Sequence, residues 1–187
     1  MQGHCVSSPL FCCFVVLFFK ELSNLIPTHS FCQAPPFLGY LSLHQNQLTG
    51  TLPEFMNLRS LFYLDLSSNF FSGSIPHDWS SGPDRFNQLK NIYLDHNRFE
   101  GELLPTFSQI GNGRVETLML SNNRFTGRFP GNWTKLEDLE LQHNNFTSIS
   151  KRLCKKIVFA GGEIIHFRAD CDICSCKYLC GRDYCLM

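Results

Sequence analysis

The sequence has no cysteine in its central part, although it contains ten in 187 residues. None lies between Cys32 and Cys154, and six lie from Cys154 onward. A protein kept in a reducing compartment rarely concentrates its thiols in this way except to bind a metal. The distribution therefore indicates either an oxidising compartment or a zinc site near the C-terminus.

Net charge and long apolar runs are also absent. Sixteen basic and sixteen acidic side chains cancel. No overall field attracts the chain to nucleic acid, so we predict no nucleic-acid partner. The longest apolar run, LFCCFVVLFF at residues 10–19, is shorter than the roughly 20 residues of a membrane-spanning helix. Its length fits the core of a secretory signal peptide better.

Residues 1–32 leave several interpretations open. A signal peptide would end near the small-residue pattern Ser30-Phe31-Cys32, although no Lys or Arg precedes its core. The alternatives are a short uncleaved anchor, a misassigned start, or an apolar cap, with residues 33–37 as a linker or partial cap. Cleavage after Cys32 would leave six cysteines, an even number that could pair completely.

Signatures of catalysis are missing as well. The sequence has no HExxH, no GxSxG, no phosphate-binding loop ending in Lys-Ser or Lys-Thr, and no kinase catalytic loop. The DCDIC segment at residues 170–174 has no thioredoxin-like strand and helix pattern around it. We therefore predict that the chain is not an enzyme and needs no cofactor.

What the sequence does have is five segments with the same spacing of apolar residues around one asparagine. They read LGYLSLHQNQLTGTLP, LFYLDLSSNFFSGSIP, LKNIYLDHNRFEGELLP, VETLMLSNNRFTGRFP and LEDLELQHNNFTSI. The asparagines are Asn46, Asn69, Asn97, Asn123 and Asn144. Apolar residues at the fourth and sixth positions alternate with polar ones, which predicts one short half-buried strand in each copy.

The residues that follow each strand have physical roles too. The asparagine amide carries donors and an acceptor that can satisfy backbone groups where the chain turns into the core. Two residues later, a large apolar side chain recurs and predicts a row of stacked groups. This row comprises Leu48, Phe71, Phe99, Phe125 and Phe146. The glycine and proline that follow in four copies are missing from the fifth, so we expect the array to end at Ile149.

These motifs closely resemble the plant-type leucine-rich repeat, whose consensus is LxxLxLxxNxLxGxIP, over residues 38–149. The resemblance implies an α/β solenoid, a right-handed superhelix with a parallel β-sheet on its concave face and irregular or 3₁₀ segments on its convex face. It also implies a cysteine-rich C-terminal cap, which would comprise residues 150–187. The paired-cysteine N-terminal cap that is common in plant receptors of this type is absent.

The resemblance places the exposed strand positions on the concave face, where a protein or peptide would bind. The third position of the five copies supplies Tyr40, Tyr63, Asn91, Thr117 and Asp138, and the fifth supplies Ser42, Asp65, Tyr93, Met119 and Glu140. The seventh and eighth positions also face this side, with His44 and Asp95 in the predicted ligand set. We expect a surface that is aromatic at one end and acidic at the other.

The ends of the chain suggest covalent modification. Asn132 and Asn145 each begin an Asn-x-Thr sequon, although the apolar neighbour of Asn145 would restrict access to it. Disulfides are predicted among the six C-terminal cysteines, with connectivity open. They are Cys154, Cys171, Cys174, Cys176, Cys180 and Cys185. The alternatives are a zinc site that uses four of the last five, with His166 as a further candidate ligand, and unpaired thiols.

Together these features predict an extracellular or secreted binding module for a protein or peptide. No kinase domain or convincing spanning helix follows the repeats, so signalling would require a membrane co-receptor. Two other classes stay open, a structural or adhesive repeat protein and an intracellular scaffold with a zinc-bound tail.

Overall fold

A parallel eight-stranded β-sheet extends through the computed structural model, which describes residues 14–16, 38–52, 58–79, 86–159, 164, 166–170, 173 and 185–186. With strands numbered along the chain, the spatial order is β1 (Phe14–Val16), β2 (Tyr40–Ser42), β4 (Tyr63–Asp65), β6 (Asn91–Tyr93), β8 (Thr117–Met119), β10 (Asp138–Glu140), β12 (His166–Asp170) and β13 (Cys185–Leu186). The predicted strand in each of the five copies is confirmed.

A second parallel sheet has five strands, one after each asparagine. Their spatial order is β11 (Asn145–Ile149), β9 (Arg124–Phe129), β7 (Arg98–Glu102), β5 (Phe70–Gly73) and β3 (Thr49–Thr51). The sequence analysis expected irregular or 3₁₀ segments here. Short 3₁₀ helices do occur at His77–Trp79 and Pro105–Gly113, and an α-helix, α1, spans Lys151–Phe159. The predicted solenoid is thus confirmed, with a second sheet added.

The core follows from the alternation of side chains along the first sheet. Fourth-position residues are in register from β2 to β12 and are almost completely buried. They are Leu41, Leu64, Ile92, Leu118, Leu139 and Phe167. Because successive strand residues point to opposite sides, the third and fifth positions lie on the solvent side. The core thereby fixes which side chains can meet a ligand.

From Asn69 onward, each repeat asparagine joins its own coil to the preceding one, and Asn97 shows how. Its Nδ2 donates to the carbonyl oxygens of Leu94 and Asp95 in its own coil, both at 3.2 Å. The same nitrogen donates to the Leu66 carbonyl of the preceding coil at 2.9 Å, and Oδ1 accepts from the Phe71 amide at 3.0 Å. Equivalent bonds are made by Asn69, Asn123 and Asn144. The predicted role of the asparagines is confirmed.

A row of stacked phenylalanines runs parallel to the asparagines. Neighbouring rings of Phe71, Phe99, Phe125 and Phe146 have centroids 6.0, 6.1 and 6.0 Å apart and are nearly parallel. All four side chains are buried, as is Leu48 at the same repeat position. The predicted row of large apolar groups is confirmed, and it fills the space next to the buried amides.

The first sheet continues beyond Ile149, where the repeat pattern ends. Strand β12 pairs in parallel with β10, and Phe167 lies in register with Leu139. The segment from Ile164 repeats only the apolar half of the motif, with Phe167 and Ala169 at the fourth and sixth positions. All three of these side chains are buried. A sixth strand therefore stacks on the array without the asparagine that marks the other five.

Asp170 closes the hydrogen-bonding series at this end. In the earlier coils, backbone amides before the asparagine donate to carbonyls of the next coil, as His96 does to Ser121 at 3.0 Å. The corresponding amides of His143 and Asn144 donate instead to Oδ1 and Oδ2 of Asp170, at 2.9 and 3.3 Å. The carboxylate replaces two backbone acceptors that a further full repeat would supply.

The parallel strand β1 lies at the opposite edge, beside β2. It falls within the apolar run that the sequence analysis interprets as a signal peptide or an apolar cap. The rest of residues 1–32 and the linker at 33–37 lie outside the described residues. The predicted domain boundaries therefore stay predictions.

Substituting a repeat asparagine should destabilise the whole array. Asn97→Ala would leave buried backbone groups in two coils without partners, each costing about 1–3 kcal/mol. We expect a loss of roughly 2–4 kcal/mol in the free energy of unfolding, measured by urea denaturation followed by circular dichroism. The matched control is Asn145→Ala, because Asn145 is exposed. Equal losses in the two variants would contradict the role of the amide.

Removing the Asp170 carboxylate should loosen the last coils. Asp170→Ala deprives the His143 and Asn144 amides of their acceptor, and we expect a loss of about 1–2 kcal/mol in unfolding free energy. Glu137→Ala, at an exposed site, should change it by less than about 0.5 kcal/mol. Hydrogen exchange would locate the effect, and unaltered protection of those two amides would rule out the capping role.

Candidate ligand-binding face

The candidate site is the solvent side of the eight-stranded sheet, which we name the sheet face. It consists of the third- and fifth-position side chains, held in register across the strands. The third-position column is Tyr40, Tyr63, Asn91, Thr117 and Asp138, and the fifth-position column is Ser42, Asp65, Tyr93, Met119 and Glu140. The structure thus brings together all ten residues of the two predicted columns.

Three tyrosines form a continuous aromatic row at one end of the sheet face. The rings of Tyr40 and Tyr63 stack with centroids 4.2 Å apart and planes 7° apart. Tyr93 continues the row, with its centroid 5.3 Å from that of Tyr63 and its ring tilted by 39°. All three side chains are half-buried. Each ring therefore has one part packed against its neighbours and another part open to solvent.

The surroundings of Tyr63 and Tyr93 favour the protonated form of their phenol groups. Burial, together with a hydrogen bond to Tyr40 and the charge of Asp65, raises the pKa of Tyr63 well above its ordinary value. Burial and the charges of Asp65 and Asp138 also raise the pKa of Tyr93, which is hydrogen-bonded to Thr117. These two residues consequently offer uncharged hydroxyl groups and aromatic surface to a ligand.

Two aspartates flank the tyrosines. Asp65 lies in register beside Tyr93, and its Oδ1 accepts hydrogen bonds from the backbone amide and the hydroxyl of Ser67, at 3.0 and 2.7 Å. Asp95 lies two residues after the end of β6, with its Oδ2 2.8 Å from Nδ1 of His96. Burial raises the pKa of Asp95 despite that contact. The aromatic end of the face is therefore also acidic.

The other end of the face is less acidic than the sequence predicts. Asp138 accepts a 3.4 Å hydrogen bond from the Thr117 hydroxyl. Glu140, however, accepts from the Arg168 guanidinium at 3.2 Å, as well as from Ser121 and Gln142 at 3.3 and 3.1 Å. Arg168 comes from β12, the strand that the repeat pattern did not reveal. The expectation of an acidic end is thus corrected, since half of its charge is paired.

Strand β12 extends both columns of the sheet face. His166 lies in register with Asp138, and Arg168 lies in register with Glu140. Sequence reasoning missed both residues because it required an asparagine after every strand. The apolar positions Ile164, Phe167 and Ala169 carry the signal that could have found them.

Not every predicted contact residue is equally accessible. Ser42, Asp65 and Thr117 have exposed fractions of 4%, 9% and 7%, because the register places each beside other side chains of the face. His44 and Met119 are half-buried. A ligand would therefore meet mainly the tyrosines and the larger polar groups, with the small residues beneath them.

Residues at the eighth repeat position have a backbone role as well. Gln45, Ser68, His96, Asn122 and His143 all have positive φ angles, between 53° and 59°. This left-handed conformation is uncommon for residues other than glycine. It turns the chain after each strand so that the following asparagine side chain can reach the core. The sequence analysis assigned these positions to the binding face without recognising that constraint.

Both sequon asparagines are accessible. Asn132 is exposed, and the intervening Trp133 is buried with its Nε1 donating to the Pro130 carbonyl at 2.9 Å. Asn145 is exposed too, which corrects the expectation of restricted access. The alternation along β11 turns Phe146 inward and leaves Asn145 and Thr147 outward. Glycosylation at either site stays a prediction.

The C-terminal cysteines are described only in part. Cys154 on α1 is disulfide-bonded. The side chains of Cys171, Cys174, Cys176, Cys180 and Cys185, and with them the zinc alternative, lie outside the described part of the chain. Among the helices that are described, none is long and apolar enough to cross a membrane.

Comparison with known proteins identifies the repeats and their relatives. The family model Leucine Rich Repeat matches residues 60–81, 88–110 and 114–136. Receptor-like protein 39 of Arabidopsis thaliana is 39% identical over 114 residues, which cover 59% of this chain and 12% of that protein. The chain thus spans about an eighth of the length of such relatives.

Two solved structures of plant receptors are also similar to this chain. The ectodomain of the Arabidopsis thaliana receptor kinase GASSHO1/SCHENGEN3, in complex with CASPARIAN STRIP INTEGRITY FACTOR 2, has a TM-score of 0.57 at 25% identity. It matches 64% of this chain and 14% of that one. The plant peptide hormone receptor RGFR1, in complex with RGF2, has a TM-score of 0.54 at 30% identity, over 60% of this chain and 18% of that one.

The environment of Asp95 makes a prediction about pH. Because burial raises the pKa of its carboxyl group above the ordinary value of 3.8, the folded state favours the protonated form. Stability is therefore lost as the pH rises from the ordinary pKa through the raised one. Asp95→Asn should raise the melting temperature at neutral pH, and the difference should vanish in acid. This prediction would be refuted if the difference in melting temperature did not depend on pH, or if the exposed control Glu100→Gln showed the same difference.

Proposed function

Because the chain carries leucine-rich repeats of the type found in plant receptor-like proteins, we propose that it is an extracellular binding module. Its ligand is a peptide or an extended segment of a protein, held on the concave sheet face. The role is recognition and involves no catalysis.

The observation that carries this proposal is the row of Tyr40, Tyr63 and Tyr93. Three half-buried aromatic rings in contact expose apolar surface that a monomeric array does not need for its own core. Tyrosine is enriched at binding hot spots because it offers a large area with a polar tip. The rings lie on consecutive parallel strands, so a ligand that crosses the strands would contact each in turn.

The dimensions of the face support a linear ligand. The strands of the five repeats, at about 4.8 Å spacing, span roughly 20 Å, which is the length of about six extended residues. Two similar ectodomains are in complex with CASPARIAN STRIP INTEGRITY FACTOR 2 and with RGF2. These partners belong to those proteins. They support the class of ligand and say nothing of its identity here.

Three observations support the extracellular location. The apolar run at residues 10–19 has the length of a signal-peptide core. Cys154 is disulfide-bonded, which is typical of oxidising compartments. The two sequon asparagines are exposed and accessible to a glycosylating enzyme. We further propose that signalling requires a membrane co-receptor as a second partner.

The proposal predicts that peptide binding depends on the tyrosine row. Tyr63→Ala would remove the central ring and both aromatic contacts, and we expect at least about a tenfold loss in affinity for peptides selected by the wild-type protein from a random twelve-residue library. Calorimetry on the oxidised, full-length chain measures it.

The matched control is Phe70→Ala, because Phe70 is an exposed aromatic residue on the second sheet. It should leave affinity unchanged. If no library peptide binds, or if binding survives Tyr63→Ala and Tyr93→Ala, the ligand face is wrong and a structural or adhesive role is favoured instead. Full-length mass with ten free thiols in protein from its native source would contradict the secreted location.

A further inference from the structure

Acidic groups of the sheet face act on the tyrosine row. Asp65 is in register with Tyr93. The charge of Asp65 acts on Tyr63 and Tyr93, and that of Asp138 acts on Tyr93. Asp95 lies two residues after Tyr93 on the same chain segment. The charges of two carboxylates, one on the preceding coil and one two coils further along, thus act on the Tyr93 ring.

The cations described near the sheet face are paired with other carboxylates. Among the described residues of the face and its borders, Arg168 is paired with Glu140, and Lys90 is paired with Glu116 at 2.8 Å. No ion pair within the described residues involves Asp65 or Asp138. Asp95 has a basic neighbour, His96, and His166 lies in register beside Asp138. Within the part of the chain that the structure describes, Asp65 is therefore the carboxylate of the aromatic end that has no ion pair.

Asp65 gives the strongest argument for a cationic ligand, because its side chain is only 9% exposed. Ser67 engages one of its oxygens with two hydrogen bonds and supplies no positive charge. A buried carboxylate without a counter-ion is unfavourable in the absence of a partner. Asp65 lies in register beside Tyr93, so a cation that packs on that ring would also lie close to the carboxylate.

We propose that the sheet face selects a peptide or protein segment with an exposed arginine or lysine, which packs on Tyr63 and Tyr93 and pairs with Asp65. This inference rests on the proposed function and specifies its ligand class. The aromatic faces attract a cation through their quadrupoles, and the nearby carboxylates add a charge-assisted hydrogen bond. Arginine fits both contacts best, because its flat guanidinium can stack and donate at the same time.

The experiment first selects peptides that bind the protein and then removes the charge of the peptide and of Asp65 separately. The full-length oxidised chain is screened against a random twelve-residue peptide array. Binding peptides are then resynthesised with citrulline, a neutral analogue of arginine, or with norleucine in place of lysine. We expect the binders to be enriched in basic residues, and the neutral analogue to weaken binding at least about fivefold. The loss should shrink at high salt.

Asp65→Asn supplies the protein side of the test. The asparagine Oδ1 can still accept both bonds from Ser67, so the fold should be retained, which a melting curve checks. Peptides with arginine should bind Asp65→Asn more weakly, whereas their citrulline analogues should bind both proteins equally. Glu100→Gln, the same loss of charge at an exposed site on the second sheet, should leave both affinities unchanged.

The outcomes separate the two proposals. If neutral or acidic peptides bind as well as basic ones, and binding is lost in Tyr63→Ala, the peptide-binding face stands and the charge preference is overturned. If Asp65→Asn and Glu100→Gln weaken arginine peptides equally, the assignment to Asp65 is overturned. If no peptide binding depends on Tyr63, both proposals fail together.

Discussion

Four successive coils of this protein are each joined to the coil before them by one asparagine amide. The chain turns sharply after each strand and carries backbone carbonyls and amides into an apolar core, where water cannot satisfy them. One asparagine side chain binds groups of its own coil and of the preceding coil, as Asn97 does with Leu94 and Leu66. No coil is therefore complete without its neighbour. Stability must grow by addition of coils, and the register of the sheet follows from the spacing of the amides.

The same constraint separates folding from recognition. The asparagines, leucines and phenylalanines fix the interior, while alternation along each strand turns the third and fifth positions away from it. Those positions are free to vary without affecting the amide bonds. That the free positions hold three tyrosines in contact, with Asp65 in register beside Tyr93, is consequently not a requirement of the repeat. It is the part of the structure that a ligand would explain.

The periodic features could be predicted from the sequence, and the ends could not. The strands and the asparagines recur five times, and the phenylalanines recur four times after Leu48, so their positions follow from spacing alone. Strand β12 has the apolar half of the motif but no asparagine, because Asp170 satisfies the last amides with its carboxylate. Only three-dimensional register shows that substitution. The pairing of Glu140 with Arg168 depends on strand β12. The low exposure of Asp65 depends on neighbouring strands, and no single repeat contains either feature.

Strand β12, which the repeat pattern did not reveal, also makes the two ends of the sheet face differ in charge. Without β12, its acidic groups would run from the tyrosines to an acidic end at Glu140. With β12, Arg168 and His166 lie beyond that end, so the face changes from aromatic and acidic near β4 and β6 to mixed charge near β12. A linear ligand laid across the strands would experience different fields at its two ends. Its orientation could then be set by charge, while its affinity came from the tyrosine row.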